Sequence, residues 1–172
     1  MGEHGLTGVN LDLLAEHSGL TRDELRQHYA SVEDCLNDTY EEVSMDLLAM
    51  LAESFARGKN WSDGLVRGGA RVLARLAHRP AEARLVFVEV LRGDRELLWR
   101  RESMRALMVQ LLTSEHSARS EREDLPPMQH ELLVGASFQL ISSRVAEGQI
   151  DELPELGPEL AELAGIFEPV AA

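Results

Sequence analysis

Residues 10–36 read NLDLLAEHSGLTRDELRQHYASVEDCL. Leu11, Leu14 and Ala15 fall on one face at helical spacing. Ser18-Gly19 then ends the segment, glycine being suited to the left-handed residue that closes many helices. Thr21 stands where a helix cap belongs, and Glu24 three residues on completes a capping box. The pattern predicts helices over 10–17 and 21–28, with a third starting near Ser31. A short helix, a glycine turn and a second capped helix are the parts of a helix-turn-helix.

Outward from this stretch the chain stays helical. Leu36, Tyr40, Val43, Leu47, Met50, Leu51 and Phe55 recur at three- and four-residue spacing, which predicts one long helix over 31–56. A second helix over 62–77 carries Leu65, Val66, Gly69, Val72, Leu73 and Leu76 on one side. His78-Arg79-Pro80 breaks the pattern, and Pro80 suits the first position of the next helix. Segment 81–91 holds Leu85-Val86-Phe87-Val88 and is apolar nearly all round. It reads as a central buried helix, with a short strand as the alternative. Further helices are expected over 94–118, 128–147 and 151–167, with a charged connector at 119–124 and a short turn at Gly148. The fold class is all-α: a truncated helix-turn-helix headpiece over 1–45, followed by a larger helical bundle over 46–172.

Composition narrows the function. The 172 residues carry a formal net charge of −13 and are 44% hydrophobic. No apolar run approaches the roughly 20 residues of a membrane span, so no membrane partner is expected. MGEHGLTG at the start lacks the basic and apolar regions of a secretory signal. The single cysteine, Cys35, excludes an internal disulfide and points to a reducing cytoplasm. Residues 1–43 hold ten acidic side chains against two basic ones, Arg22 and Arg26, a formal −8. Phosphate contacts supply most of a DNA binder's non-specific affinity, and this sign works against them.

Enzyme chemistry finds no support in the spacing. No glutamate has a histidine three residues later, as a carboxylate-bridged di-metal bundle requires. There is no zinc pattern and no glycine-rich phosphate loop. Cys35 sits beside Glu33 and Asp34 and reads as a small packing residue. No cofactor, metal or catalytic residue is expected.

The 10–36 stretch resembles the DNA-binding end of the TetR (tetracycline-repressor-like) transcriptional regulators. The resemblance rests on Leu13-Leu14-Ala15, Ser18-Gly19-Leu20-Thr21, Leu25-Arg26, His28-Tyr29 and Ser31-Val32-Glu33-Asp34-Cys35-Leu36. Three departures accompany it. The family begins with a full helix before this motif, whereas nine residues precede Asn10 here, with Gly2, Gly5 and Gly8 among them. The expectation is a first helix lost or vestigial, or a true start upstream. Val32 stands where the family tends to carry a phosphate-contacting lysine. Asp23 and Glu24 stand on the recognition helix, where small neutral residues are usual.

The resemblance implies the sites. Thr21, Arg22, Arg26, Gln27, His28 and Tyr29 lie at or near DNA-facing positions. Arg22 and Gln27 suit base edges, His28 and Tyr29 suit phosphates, and Glu24 could accept from cytosine. The bundle would hold a small apolar effector among Phe87, Leu91, Trp99, Met104, Met108 and Phe138, with His130 or Gln139 as polar anchor. The last two helices would form a homodimer through Leu133, Ala136, Leu140 and Ile141 on one stripe and Leu156, Leu160, Leu163 and Phe167 on the other, with Leu153. The expected function is an effector-controlled regulator that binds operator DNA as a homodimer. The alternative is a degenerate relative without DNA affinity, acting as a dimerising or ligand-binding interaction protein.

Overall fold

The structure is a computed structural model that describes residues 15–16, 21–119 and 127–167. Ala15 and Glu16 are helical. The rest of the expected 10–17 helix, with Leu11, Leu14, Ser18 and Gly19, lies outside the described residues. Then come α1 (Arg22–His28), α2 (Val32–Arg57), α3 (Trp61–His78) and α4 (Pro80–Phe87). A 3-10 turn at Glu89–Arg92 leads into α5 (Arg95–Arg119). After α6 (Pro127–Ala146), a 3-10 segment at Ile150–Leu156 leads to α7 (Gly157–Phe167). The described residues contain no strand, so the fold is all-α as expected.

Local chemistry sets the helix starts. The Glu24 amide donates to Thr21 Oγ1 at 3.2 Å, and the Thr21 amide donates to Glu24 Oε2 at 2.8 Å, so the capping box forms. Ser31 and Asp34 repeat the device at the head of α2, each amide donating 3.1 Å to the other's side-chain oxygen. The Asp63 amide donates to Asn60 Oδ1 at 2.8 Å to start α3, and Pro80 opens α4. Gly148 has φ of +79°, and the Gln149 amide donates back to the Arg144 carbonyl at 2.9 Å. This is a Schellman stop, which closes α6.

Two expected elements differ. The 81–91 helix stops at Phe87 and tightens into the 3-10 turn. The expected 151–167 helix becomes a 3-10 segment followed by a shorter α7. Pro154 lies inside that segment; it has no N–H to donate and its ring crowds an α-turn.

The core forms where α2 and α3 fold back on each other. Phe55 and Trp61 are fully buried there with ring centroids 6.5 Å apart. Gly64 and Gly68 allow the close approach. A Cβ on Gly64 would stand 2.9 Å from Phe55 Cα, and one on Gly68 2.4 Å from Leu51 Cδ1. Across the junction Arg75 of α3 bonds Asp46 of α2 and Glu82 of α4, both at 3.0 Å. Helices α5, α6 and α7 complete the bundle around Leu112, Val134, Leu153 and Leu156. Among the described residues no helix is long and apolar enough to cross a membrane.

Two glycines on α3 are expected to respond to alanine with opposite signs. Gly64→Ala should destabilise by about 1–3 kcal/mol, because backbone must move to admit the methyl. At Gly69 a Cβ meets nothing within 4 Å, so Gly69→Ala should stabilise by about 0.5–1 kcal/mol through helix propensity. Urea unfolding followed by circular dichroism checks both, and shifts of the same sign would refute this packing account.

Candidate functional site

The headpiece site is α1. Leu25 is buried and anchors the helix, while Arg22, Asp23, Glu24, Arg26, Gln27 and His28 are exposed and Tyr29 is half-buried. Arg22, Arg26, Gln27 and His28 are therefore presented outward. Glu24 is not available to a base. Its carboxylate accepts from both the amide and the hydroxyl of Thr21, and these bonds hold its pKa below the usual carboxylate value. The same bonds commit the Thr21 hydroxyl to the cap. Cys35 first, then burial and the carboxylates Asp38 and Glu42, push the Tyr29 hydroxyl up, so it stays a neutral donor. Two acids, Asp23 and Glu24, share the first turn with Arg22.

The body holds an apolar cavity of about 100 Å³. Its walls are Leu51 of α2, Leu65, Gly69 and Leu73 of α3, Met108 and Leu112 of α5, Leu133, Phe138 and Ile141 of α6, and Gly157, Leu160 and Ala161 of α7. Among the described residues of the lining, Ser137 alone carries a hydroxyl. Such a lining matches an aliphatic occupant better than a polar one.

The expected pocket residues divide. Met108 and Phe138 line the cavity. Phe87 is buried behind Phe138, the ring centroids 5.3 Å apart, and Met104 is buried elsewhere in the core. Leu91 and Trp99 are corrections, being 52% and 67% exposed. Gln139 is exposed as well. His130 is not an anchor for the cavity but belongs to a buried ring cluster. Its centroid lies 6.0 Å from Trp61 and 5.3 Å from His116, and Trp61 Nε1 donates to the Leu112 carbonyl at 3.2 Å. Thr113 Oγ1 donates to the Val109 carbonyl, leaving its lone pair for the His130 Nδ1–H at 3.3 Å. Nothing in the local pattern of the sequence pointed to this cluster, since its rings come from three separate helices.

The expected dimer stripes also divide. Leu133 and Ile141 are buried and line the cavity, and Leu156 is buried in the core. A side chain sealed within its own chain has no surface left for a second copy, so these three are corrected. Ala136, Leu140, Leu160 and Leu163 are half-buried, and the Phe167 side chain lies outside the described residues. Two residues that periodicity passed over, Met128 and Leu132 on the outer face of α6, are 64% and 57% exposed.

No family model matches the chain, and no curated protein matches it. Solved structures share its fold. The fatty acid degradation regulator FadR from Bacillus halodurans superimposes with a TM-score of 0.81 at 15% identity, covering 94% of this chain and 86% of that one. The transcriptional regulator FadR from Bacillus subtilis, solved in complex with stearoyl-CoA, gives 0.76 at 16% identity, covering 90% and 86%. A TetR family transcription regulator from Marinobacter aquaeolei VT8 gives 0.62 at 21% identity, covering 91% and 86%. The chain thus has the fold of TetR-type regulators.

The buried His130 makes stability depend on pH. Burial first, then the neighbouring His116, holds the His130 pKa below the ordinary imidazole value. The folded state therefore favours neutral His130. Its contribution is complete above about pH 6.5 and is lost as pH falls from there through the lowered folded pKa. The urea midpoint should fall between pH 7.5 and pH 5.5, and His130→Gln should flatten that slope. An equal slope in the variant would rule out the assignment.

Proposed function

We propose that the chain is a TetR-type transcriptional regulator, a homodimer that binds operator DNA through α1 and responds to an effector with a long aliphatic chain. What carries the reading is the mounting of α1: a capped helix presents Arg22, Arg26 and Gln27 outward on the end of α2, whose other end walls an apolar cavity. Headpiece and effector site share one rod of about 39 Å, at roughly 1.5 Å per residue. An effector that prefers one placement of α2 shifts the separation of the two headpieces in a dimer.

An aliphatic chain suits the lining, and a structural neighbour holds stearoyl-CoA. The cavity is small against the roughly 300–1,000 Å³ of common ligand sites. Holding a long chain therefore requires helices to part, and Gly69, Ala70, Gly157 and Ala161 mark the thin seam between α3 and α7. For the dimer, the outer face of α6 is the surface we assign, with Met128, Leu132, Ala136 and Leu140 spaced four apart.

The acidic headpiece favours one second reading. At a formal −8 over residues 1–43, and with Val32 at the expected lysine position, the chain lacks the charge a phosphate backbone rewards. In that reading it dimerises or binds its ligand without touching DNA.

Electrophoretic shift with the gene's own upstream DNA decides between them. The regulator reading expects a salt-sensitive complex that Arg22→Ala weakens by about 1–3 kcal/mol, or roughly five- to 150-fold. No complex at micromolar protein would leave the second reading. For the dimer, Leu132→Glu should yield folded monomer in sedimentation analysis, whereas Leu133→Glu should unfold the chain. A Leu132→Glu protein that still sediments as wild type would refute the assigned face.

A further inference from the structure

Eight buried side-chain nitrogen or oxygen atoms among the described residues have no well-formed hydrogen bond, and seven of them belong to α2 and α5: six gather in the seam where these helices meet, and the seventh, His116 Nε2, lies in the ring cluster beside Trp61. On α2 they are Asn37 Oδ1, Tyr40 OH and Ser44 Oγ. Those residues are 4%, 1% and 2% exposed. Their spacing of three and four puts them on one face of the helix. On α5 they are the Nε atoms of Arg100, Arg101 and Arg105. Native proteins rarely leave buried polar groups unpaired, and a cluster of them asks for a partner.

The surroundings say what kind of partner. Arg100 bonds Glu41 on α2 and Glu96 on its own helix. Arg101 and Arg105 share the carboxylate of Glu102, at 2.7 and 3.0 Å. Three guanidinium groups thus face three carboxylates, and each retains a buried N–H pointing nowhere. Glu102 has a 59% exposed side chain and can yield to another anion by turning into water. Burial pushes the Tyr40 hydroxyl up, opposed first by its hydrogen-bonding contact with the Ser44 hydroxyl and then by the charge of Arg101, so Tyr40 is a neutral donor beside a cation. The seam also adjoins the apolar cavity. The Arg101 guanidinium carbon lies 5.9 Å from the centre of the Phe138 ring, and Phe138 lines the cavity. Arg105 reaches over α6 at Gly135, where a Cβ would stand 3.7 Å from its Nη2.

We propose that this seam receives the anionic head of an amphipathic effector whose chain occupies the cavity. This deepens the effector reading above and rests on it. The head is an anionic oxygen group, a carboxylate or a phosphate, that accepts from the arginine N–H groups and from the Tyr40 and Ser44 hydroxyls. Arg101 and Arg105 supply the charge in place of their bond to Glu102. The head then bridges α5 and α2, so occupancy acts directly on the helix that carries α1.

Calorimetric titration of the full chain with three ten-carbon probes tests this: decanoate, decanoyl-CoA and 1-decanol. Anionic probes should bind wild type at least tenfold more tightly than decanol. The double variant Arg101→Gln, Arg105→Gln should bring them to the decanol level and leave decanol unchanged. Loss for decanoyl-CoA alone assigns the site to a phosphate, loss for decanoate alone assigns it to a carboxylate, and loss for both shows that it takes either anion. Tyr40→Phe supplies a readout that needs no arginine change. It should raise the melting temperature of the free protein while weakening the anionic probes several-fold, whereas a merely structural hydroxyl would lower the melting temperature. The seam is refuted if decanol binds and the arginine variant holds anionic probes as tightly as wild type, with the effector reading left standing. If no probe binds wild type, the effector reading fails and the seam with it. Should the double variant not fold, Tyr40→Phe decides alone.

Discussion

The close contact of α2 with α3 at Gly64 and Gly68 is the constraint on which the rest of the structure stands. With no Cβ at these two positions, Phe55 and Leu51 reach the backbone of α3 and the apolar faces of the two helices meet. Trp61, the first residue of α3, is sealed by this approach and in turn seats His116 of α5 and His130 of α6. The cavity follows from the same geometry. One residue past the tight contact, Gly69 looks into open space, and the bundle fails to fill it. Packing is dense on one side of α3 and thin on the other because two glycines serve contact and the third serves absence.

Helix α2 joins two chemistries that a boundary near residue 45 would separate. Its first half carries acidic residues and follows directly from α1, while its second half buries Leu47, Leu51 and Phe55 in the body. A single hydrogen-bonded rod transmits a tilt along its length more readily than a flexible linker could. Ion pairs brace it from both sides. Arg75 ties its middle to α3 and α4, and Arg100 ties its first half to α5 through Glu41. Partly exposed pairs of this kind contribute modestly to stability but define relative position.

Polar groups within the core divide by purpose. Ser54 and Thr113 are satisfied, each donating to the carbonyl four residues back. Asn37 Oδ1 is not, and the Tyr40 and Ser44 hydroxyls have at most each other; all three lie on the stretch of α2 nearest α1. The sequence shows them as ordinary members of a helical stripe, since Tyr40 keeps apolar spacing with Leu36 and Val43. Only the arrival of α5 opposite them brings these three groups beside its arginines.

Local signals determined a large part of this protein by themselves. Thr21-x-x-Glu24, Pro80 and Gly148 act through bonds and torsions within a few residues, so their effects were readable from the chain, as were the all-α class and the long helix after α1. Ser31-x-x-Asp34 carried the same signal in a variant form. Pro154 shows how one local rule overrides periodicity, because a missing N–H outweighs the leucines around it. What each helix faces was decided only by the tertiary structure. Leu133 and Leu132 are neighbours of the same residue type, one lining a cavity and the other in solvent. Apolar periodicity reports that a face is buried, but a core, a pocket and a subunit interface all reward the same side chains. The choice among them depends on which helix arrives opposite and how closely its backbone can come.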